Sequence, residues 1–473
     1  MDEQRDEKNL SIGRNLKIGF FHLGSGMADV LATGVWNRIM ISDLGFAATP
    51  VSILASLRYF LAPLGVWAGR LSDERTFFGF RRLFWVWLGR LMMVLGIFML
   101  GFTTAALAND VDAGLEPQAT PLMWGLLAAA LLLFGLGNAL SGSTFLALIY
   151  DRAREDQRGR AVGIVWTFLL LGFTVAGIFF GIMLPSREAT ELGEEAAGVL
   201  NFAPEVLQTL FIVTALVLGT LWFFSLLGEE KRTRQNYTSE TGDDSAQTSL
   251  RADLKLAWSN RATRFFFWYL ALSMIFAFAQ DPILEPFGGD VFNMEARITT
   301  RFAAYWGSMS ILGTVAFLFL SRRYKRLTNT AMSWIGVLVL VLTFALFAVS
   351  AFGGIRWLVT PALITLGIGL GVWNVGTLGL MMDMSPFGRA GTFLGFWTLV
   401  VTFGRGLGVS GGGIIRDTVL NITGNAQIAY GSVFVLEVVG LLVALWALRQ
   451  VNAKAFIQQE TRDATAVLAG SLD

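Results

Sequence analysis

Long apolar stretches separated by short polar loops recur along the whole chain. A stretch of about 20 predominantly apolar residues is long enough for a helix to cross the ~30 Å hydrocarbon core of a bilayer. The pattern therefore predicts an all-α membrane protein with twelve transmembrane helices. Their approximate bounds are 17–42, 49–69, 83–106, 121–149, 161–184, 206–228, 263–284, 299–321, 331–352, 356–382, 391–415 and 427–449.

Lys and Arg are concentrated in the loops on one side of this predicted bundle. That side holds the N-terminal segment and the loops 70–82, 151–160, 229–262 and 322–326. The opposite loops carry few basic residues and most of their charge as Asp and Glu. Because cytoplasmic loops are enriched in Lys and Arg, we expect a multi-pass protein of an inner membrane with both termini in the cytoplasm.

The longest internal polar stretch, 229–262, falls between the sixth and seventh predicted spans. Leu250, Leu254 and Trp258 share one helical face, which is typical of a helix lying on the membrane surface. We therefore expect five parts. They are a cytoplasmic N-terminal segment (1–16), an N-terminal six-helix half (17–228), a cytoplasmic linker with an interfacial helix (229–262), a C-terminal six-helix half (263–449) and a cytoplasmic tail (450–473).

Composition narrows the function classes. Hydrophobic residues make up 54% of the chain and charged residues 15%, against about 25% charged residues in soluble domains. There is no Cys, and His22 is the one histidine, which excludes thiolate and multi-histidine metal sites within the chain. The net charge of +1 gives no bulk attraction to nucleic acid. We expect a protein that is not an enzyme.

A repeated pattern supports two related halves. In each half a Gly-Leu-Gly precedes an Asp, and a Gly-Arg-Ala then opens the next span. Such a six-plus-six repeat is typical of transporters whose halves rock about a central cavity. The alternative is that any two helical hairpins carry similar charged caps. The two sets are Gly135-Leu136-Gly137, Asp151 and Gly159-Arg160-Ala161, and Gly369-Leu370-Gly371, Asp383 and Gly388-Arg389-Ala390.

The loop after the second predicted span resembles a motif of the major facilitator superfamily. Gly69-Arg70-Leu71-Ser72-Asp73-Glu74-Arg75 is similar to the loop between that superfamily's second and third helices, with further basic residues at Arg81 and Arg82. The resemblance implies a cytoplasmic gate in which Asp73 docks near a helix N-terminus of the other half, where the helix dipole favours a carboxylate. The alternative is a helix-capping loop without a mechanistic role.

Five blocks, in the same order along the chain, resemble one group within this superfamily, the PucC/LhaA or bacteriochlorophyll delivery family. Trp36 stands where that group often has Leu, and a His of the group's second loop is missing here. The blocks are Thr33–Ile41; Ser72-Asp73 with Gly79–Arg82; Leu284–Gly289; Met381–Met384 with Ala390-Gly391; and Arg405–Gly408 with Gly411-Gly412 and Arg416-Asp417.

This resemblance implies a membrane assembly factor that binds chlorophyll or bacteriochlorophyll as cargo and delivers it to light-harvesting or reaction-centre polypeptides. Pigment-synthesis enzymes are further expected partners, and the membrane would be the cytoplasmic or photosynthetic one. Two alternatives stay open. One is a proton-coupled major facilitator transporter of a small amphipathic solute. The other is a non-transporting scaffold docked on a photosynthetic complex.

A magnesium chlorin is large, flat and mostly apolar, so its site should be aromatic with few polar groups. His22 is the candidate axial magnesium ligand, since a neutral imidazole is a good metal ligand. Its alternative role is an interfacial histidine bonded to a neighbour. Asn37, Phe287 and Gly406 are further candidate pigment contacts, although close helix packing also accounts for a glycine-rich helix.

Ionisable residues at membrane depth are costly and usually face the bundle interior. We expect every such Arg to pair with a carboxylate, because an unpaired buried charge costs several kcal/mol. The expected pairs are Arg38 with Glu285, and Arg405 with Asp29 or Glu437. The full set of candidate gating or salt-bridge residues is Asp29, Arg38, Asp73, Arg81, Arg82, Glu285, Asp383, Arg405 and Glu437.

Overall fold

A computed structural model of the chain is almost wholly α-helical. It describes residues 10–115, 120–184, 200, 202–232, 260–385 and 390–451. The predicted interfacial helix at 250–258, Gly388 and Arg389 of the second repeat block, and nearly all of the C-terminal tail lie outside these residues.

The helices follow the predicted spans closely. They are α1 (Ile12–Asp43), α2 (Ala48–Glu74), α3 (Leu83–Asp112), α4 (Pro121–Arg152), α5 (Glu155–Met183), α6 (Pro204–Leu226), α7 (Arg261–Ala277), α8 (Leu284–Phe292), α9 (Ala296–Arg323), α10 (Asn329–Gly353), α11 (Arg356–Asp383), α12 (Ala390–Thr423) and α13 (Ala426–Arg449).

Eleven helices of the described ranges are long and apolar enough to cross a membrane. The seventh predicted span differs from the expectation, because α7 ends at Ala277 and turns cover residues 278–283 before the short helix α8. Pro282 lies in this interruption, and a proline inside a helix removes one backbone hydrogen bond and clashes with the preceding turn. The prediction of one continuous helix over 263–284 is therefore wrong at its C-terminal end.

The first helix is irregular at its family-like block. Two π-helical turns, Leu31–Val35 and Ile39–Asp43, flank the α-helical turn Trp36–Arg38. Trp36 is fully buried and its indole nitrogen donates to Thr104 Oγ1 at 3.2 Å. Such π turns are rare and occur frequently at functional sites.

Two compact units make up the chain. Unit 1 comprises Met1–Thr241, Asp281–Ser308 and Val409–Asp417, so it contains α1–α6 together with short segments from the second half of the sequence. Glycines allow its helices to pack closely: a Cβ placed on Gly89 would lie 2.4 Å from the Gly137 carbonyl oxygen. Small residues at such contacts let two helix backbones approach each other.

Unit 2 comprises Gly242–Gln280, Met309–Gly408 and Thr418–Asp473. Within it α10 packs on α11, where a Cβ on Gly336 would lie 2.4 Å from the Trp373 backbone. A buried polar group joins α7 to α11, since Tyr269 Oη lies 2.7 Å from Thr377 Oγ1 and accepts from the Trp373 indole at 3.1 Å. These bonds satisfy polar atoms that would otherwise destabilise an apolar core.

Candidate functional site

His22 lies in α1 among aromatic side chains of α4 and α5. Its ring centroid is 4.8 Å from that of Phe145 and 5.9 Å from that of Trp166. The imidazole is 9% exposed, and its Nδ1 is buried without a hydrogen-bond partner among the described residues. Trp166 keeps 45% of its surface exposed. An imidazole in aromatic surroundings next to an accessible indole is suited to a flat metal-containing ring.

Arg90 lies beside this group. Its guanidinium carbon is 4.2 Å from the ring centroid of Phe21 and 4.7 Å from that of Trp222, so the cation lies between two aromatic side chains. Phe21 stacks on Phe145 with centroids 4.0 Å apart, which links Arg90 to the rings around His22.

A third buried polar side chain lies on α1 about 10 Å along the helix from His22. Asn15 is fully buried, and neither atom of its amide has a hydrogen-bond partner within the described ranges. It precedes His22 by seven positions, so the two side chains share one face of α1. We call the group formed by Asn15, Phe21, His22, Arg90, Phe145, Trp166 and Trp222 the His22 cluster.

The other predicted pigment contacts do not lie in the His22 cluster. Asn37 is fully buried, with an amide that has no partner among the described residues. It follows His22 by fifteen positions, about 22 Å along a helix. Phe287 is fully buried in α8 against Phe292, and Gly406 belongs to α12 in unit 2. Because of the distance along α1, His22 and Asn37 cannot both ligate the magnesium of one chlorin.

A network of buried charges lies at the other end of α1. Arg38 Nη1 pairs with Asp43 Oδ1 at 2.9 Å, and Ser42 donates to Asp290. Arg416 connects Asp290 with Asp417, at 2.7 and 2.8 Å. We call these residues, which are Arg38, Ser42, Asp43, Asp290, Arg416 and Asp417, the Arg38 network.

The expected pairing of Arg38 with Glu285 is corrected by this network. The carboxylate that pairs with Arg38 is Asp43, one helical turn further along α1. Glu285 is 5% exposed and faces Gly34, where an added Cβ would lie 3.0 Å from Glu285 Oε1. In a regular α-helix, as assumed from the sequence, Asp43 and Arg38 would not lie on the same side. The π turn over Ile39–Asp43 brings them to the same side.

Asp417 has a second function in the network. Its two carboxylate oxygens accept hydrogen bonds from the backbone nitrogens of Ala48 at 3.0 Å and Thr49 at 2.6 Å, the first residues of α2. A helix N-terminus has unpaired N–H groups and a positive dipole end, so a carboxylate there is stabilising. Through Asp417, α12 is fixed to the beginning of α2.

The loop after α2 carries its own charge cluster. Asp73 pairs with Arg82 and with Arg81, which are residues of the same loop. Asp151, from α4, lies 3.1 Å from Arg82 Nε and 3.2 Å from Arg81 Nη2. Arg82 is buried and also donates to Ser72 Oγ at 2.6 Å. The predicted gating residues Asp73, Arg81 and Arg82 thus form one cluster with Asp151.

Glu230 caps the helix that follows this loop. Its carboxylate accepts from the backbone nitrogens of Arg81 at 2.6 Å, Arg82 at 3.0 Å and Leu83 at 2.7 Å. The neighbouring Glu229 pairs with Arg14 at 2.8 Å at the beginning of α1. The beginnings of α1 and α3 therefore lie at the same end of unit 1. The sequence analysis did not single out either glutamate.

The deep carboxylate Asp29 pairs with Arg58 of α2, whose guanidinium also donates to Tyr59 Oη at 2.6 Å. Arg58 lies in the second predicted span, and its pairing with Asp29 was not predicted from the sequence. The alternative pairing of Asp29 with Arg405 remains a prediction.

The remaining predicted charge residues lie in unit 2. Asp383 Oδ2 accepts from Asn329 Nδ2 at 2.9 Å, which joins α11 to the beginning of α10. The Arg405 guanidinium carbon lies 4.2 Å from the ring centroid of Phe278, a cation–π contact. Glu437 is fully buried in α13. The pairing of Arg405 with Glu437 also remains a prediction.

Known sequences resemble this chain over most of its length. The model of the family described as PUCC protein matches residues 35–456. Protein PucC of Rhodovulum sulfidophilum is 28% identical over 87% of each chain. Protein PucC of Rhodobacter capsulatus is 26% identical over 93% of this chain and 92% of its own. A protein of the same species named bacteriochlorophyll synthase 44.5 kDa chain is 27% identical over 90% and 92%.

Solved structures show the fold. A bacterial homolog of the human lysosomal transporter Spinster, in an inward-facing occupied conformation, matches with a TM-score of 0.67 at 15% identity over 94% of this chain and 97% of its own. A mutant of the nucleoside transporter NupG matches with a TM-score of 0.65 at 15% identity over 92% and 98%. The fold is that of a twelve-helix major facilitator protein, and by its family match this multi-pass membrane protein belongs to the PUCC protein family.

Proposed function

We propose that this protein is a membrane assembly factor that binds chlorophyll or bacteriochlorophyll and delivers it to light-harvesting or reaction-centre polypeptides. The names of two relatives, PucC and a bacteriochlorophyll synthase chain, support a photosynthetic setting. The observation that carries the proposal is the His22 cluster, in which a buried imidazole nitrogen without a partner lies among aromatic rings.

In this proposal the side chains of the His22 cluster bind and orient the cargo. His22 ligates the magnesium of the chlorin from one side, as a neutral imidazole does. The indole of Trp166 packs against the ring, since aromatic faces prefer offset or edge contacts at centroid distances of about 4.5–7 Å. A single strong ligand suits a protein that releases its cargo to another polypeptide.

The protein is not an enzyme in this proposal. It lies in an inner, cytoplasmic or photosynthetic, membrane with both termini in the cytoplasm, as the loop charges favour. Its partners are antenna or reaction-centre polypeptides, and pigment-synthesis enzymes supply the cargo.

An ordinary proton-coupled transporter is the second candidate, favoured by the fold of the solved neighbours, by the partly buried carboxylate Asp29 and by the fully buried Glu437. Such a protein would take up a small amphipathic solute rather than carry pigment. A scaffold that docks on a photosynthetic complex without binding pigment is a further outcome of the test below.

The test is the absorbance spectrum of the protein purified in mild detergent from a phototrophic host. We expect co-purified pigment with red absorbance, and a band shift or loss of pigment in His22→Leu. Asn37→Leu is the matched control, since it removes a different buried polar side chain of α1, about 22 Å from His22 along the helix, and it should leave the spectrum unchanged. Colourless protein with proton-driven solute uptake would support the transporter. Capture of antenna polypeptides without pigment would support the scaffold.

A further inference from the structure

Five arginines of the described residues are at least nine-tenths buried, and they differ in one respect. Arg38, Arg58, Arg82 and Arg416 each form an ion pair with an aspartate. Arg90, which is 3% exposed, forms no ion pair with any described residue. The expectation that every arginine at membrane depth has a carboxylate partner is therefore wrong for Arg90.

The contacts of Arg90 only partly replace a counter-ion. The two aromatic faces provide cation–π attraction, and Nη1 donates to the sulfur of Met93 at 3.1 Å, a weak acceptor. Its Nε is buried without a hydrogen-bond partner in the described part of the chain. A buried guanidinium is a strong, planar, bidentate donor for carboxylates. Arg90 has the chemistry of a site for an anion that the described residues do not supply.

Arg90 and His22 lie at similar depth in unit 1. The beginnings of α1 and α3 are held at one end through Glu229 and Glu230. Arg90 is about 10 Å along α3 and His22 about 15 Å along α1 by helical rise. The ring of Phe21 connects the two, since it contacts the Arg90 guanidinium and stacks on Phe145 beside His22. An anion at Arg90 and a metal at His22 can therefore belong to one ligand.

We propose that the His22 cluster binds the unesterified form of the pigment, a magnesium chlorin with a free carboxylate. Arg90 binds the carboxylate, and His22 ligates the magnesium. The buried amide of Asn15, on the same face of α1 as His22, supplies a further donor and acceptor. This inference rests on the proposed function and makes it more specific: the protein binds the pigment as the free acid, and the ester tail is attached before the finished pigment is delivered.

A lipid is the second source of a carboxylate. A groove of about 640 Å³ between α1 and α6 is lined mainly by apolar side chains, including Phe20, Leu216 and Phe224, with Lys17 at one end. A fatty acid has an apolar chain that suits such a groove, and it has a carboxylate of the kind proposed to bind Arg90. The experiment therefore includes a fatty acid as a competitor.

The experiment measures the affinity of the full-length protein in lipid nanodiscs for chlorophyllide a and for its methyl ester, by quenching of tryptophan fluorescence. The two ligands share the ring and the magnesium and differ only in the carboxylate. We expect the wild-type protein to bind the free acid at least tenfold more tightly. Arg90→Gln should remove this preference by weakening free-acid binding, while Arg90→Lys should keep part of it. Arg261→Gln, an exposed arginine that lies over Phe265, should behave as wild type.

Equal wild-type affinities for acid and ester would overturn the inference, as would an unchanged preference in Arg90→Gln. Oleate that displaces chlorophyllide at equal concentration would assign Arg90 to a lipid and overturn it as well. These results leave the proposed function intact, because the ester still binds. Binding of neither chlorin would instead contradict the proposed function itself. The ratio of the affinities for the acid and the ester is measured on the wild-type protein alone. A misfolded Arg90→Gln therefore does not prevent a decision.

Discussion

Arg38 and Arg90 are both buried in unit 1, yet their surroundings are opposite. Arg38 is paired with Asp43, donates to the Met294 carbonyl at 2.9 Å and belongs to a network that reaches Asp417. Arg90 has aromatic faces and a sulfur atom instead of a carboxylate. Arg38 thus has a carboxylate as its counter-ion, whereas Arg90 has none among the residues that the structure describes.

This difference separates structural from binding interactions. A buried ion pair holds helices in one arrangement, and removing one partner leaves an uncompensated charge. A buried arginine without a carboxylate partner among the described residues contributes no such restraint and leaves a strong donor for a ligand. We therefore assign the Arg38 network to holding α1, α2, α8 and α12 together and the His22 cluster to binding.

The largest expected effect concerns the paired region. Asp43→Ala leaves Arg38 buried without its carboxylate, so we expect the free energy of unfolding to fall by about 3–5 kcal/mol. Glu295→Ala is the matched control, because it breaks the partly exposed pair with Arg297, and exposed pairs contribute about 0–1 kcal/mol. Denaturant unfolding in detergent measures both. Equal losses in the two variants would show that the Arg38 network is not structural.

A smaller effect is expected where α12 meets α2. A Cβ on Gly413 would lie 2.1 Å from Ser52 Oγ and 2.7 Å from the Ala48 carbonyl oxygen. Gly413→Ala should push the helices apart, weaken the Asp417 cap and cost about 1–3 kcal/mol. Gly411→Ala meets nothing within 4 Å and should leave stability unchanged. Thermal unfolding of the two variants side by side checks this, and an equally stable Gly413→Ala would contradict the close packing.

The smallest expected effect is that of removing Arg90, compared with removing Arg38. Arg90→Met leaves no described carboxylate unpaired, and it removes both the cost of burying the charge and the two cation–π contacts that offset this cost. In the pigment-free protein it should therefore change the free energy of unfolding by less than about 1 kcal/mol. Arg38→Met leaves Asp43 buried and unpaired, and should cost clearly more. Thermal unfolding of pigment-free protein compares the two variants. A larger loss in Arg90→Met than in Arg38→Met would reverse the assignment of the two regions.

The helices could be predicted from the sequence because the apolar runs match the thickness of a bilayer, and the family could be recognised from its short blocks. The partners of the buried charges could not. Arg416 and Asp290 are 126 positions apart, and no local pattern brings them together. The π turns that place Asp43 beside Arg38 are equally invisible to a search for helical periodicity.

His22 and Arg90 were both visible as rare polar residues in apolar runs. What the sequence could not show is that Phe21, Phe145 and Trp222 connect them, since these rings come from three helices. Composition identifies polar residues at membrane depth, whereas their grouping depends on how the helices pack.

The most direct test of the binding assignment is the shift in unfolding temperature that chlorophyllide causes. A ligand at a hundred times its dissociation constant stabilises the folded state by about 2.7 kcal/mol. We predict a clear rise for the wild-type protein and for Asn37→Leu, and little or no rise for His22→Leu at the same concentration. An equal rise in His22→Leu and the wild-type protein would contradict the assignment of pigment binding to the His22 cluster.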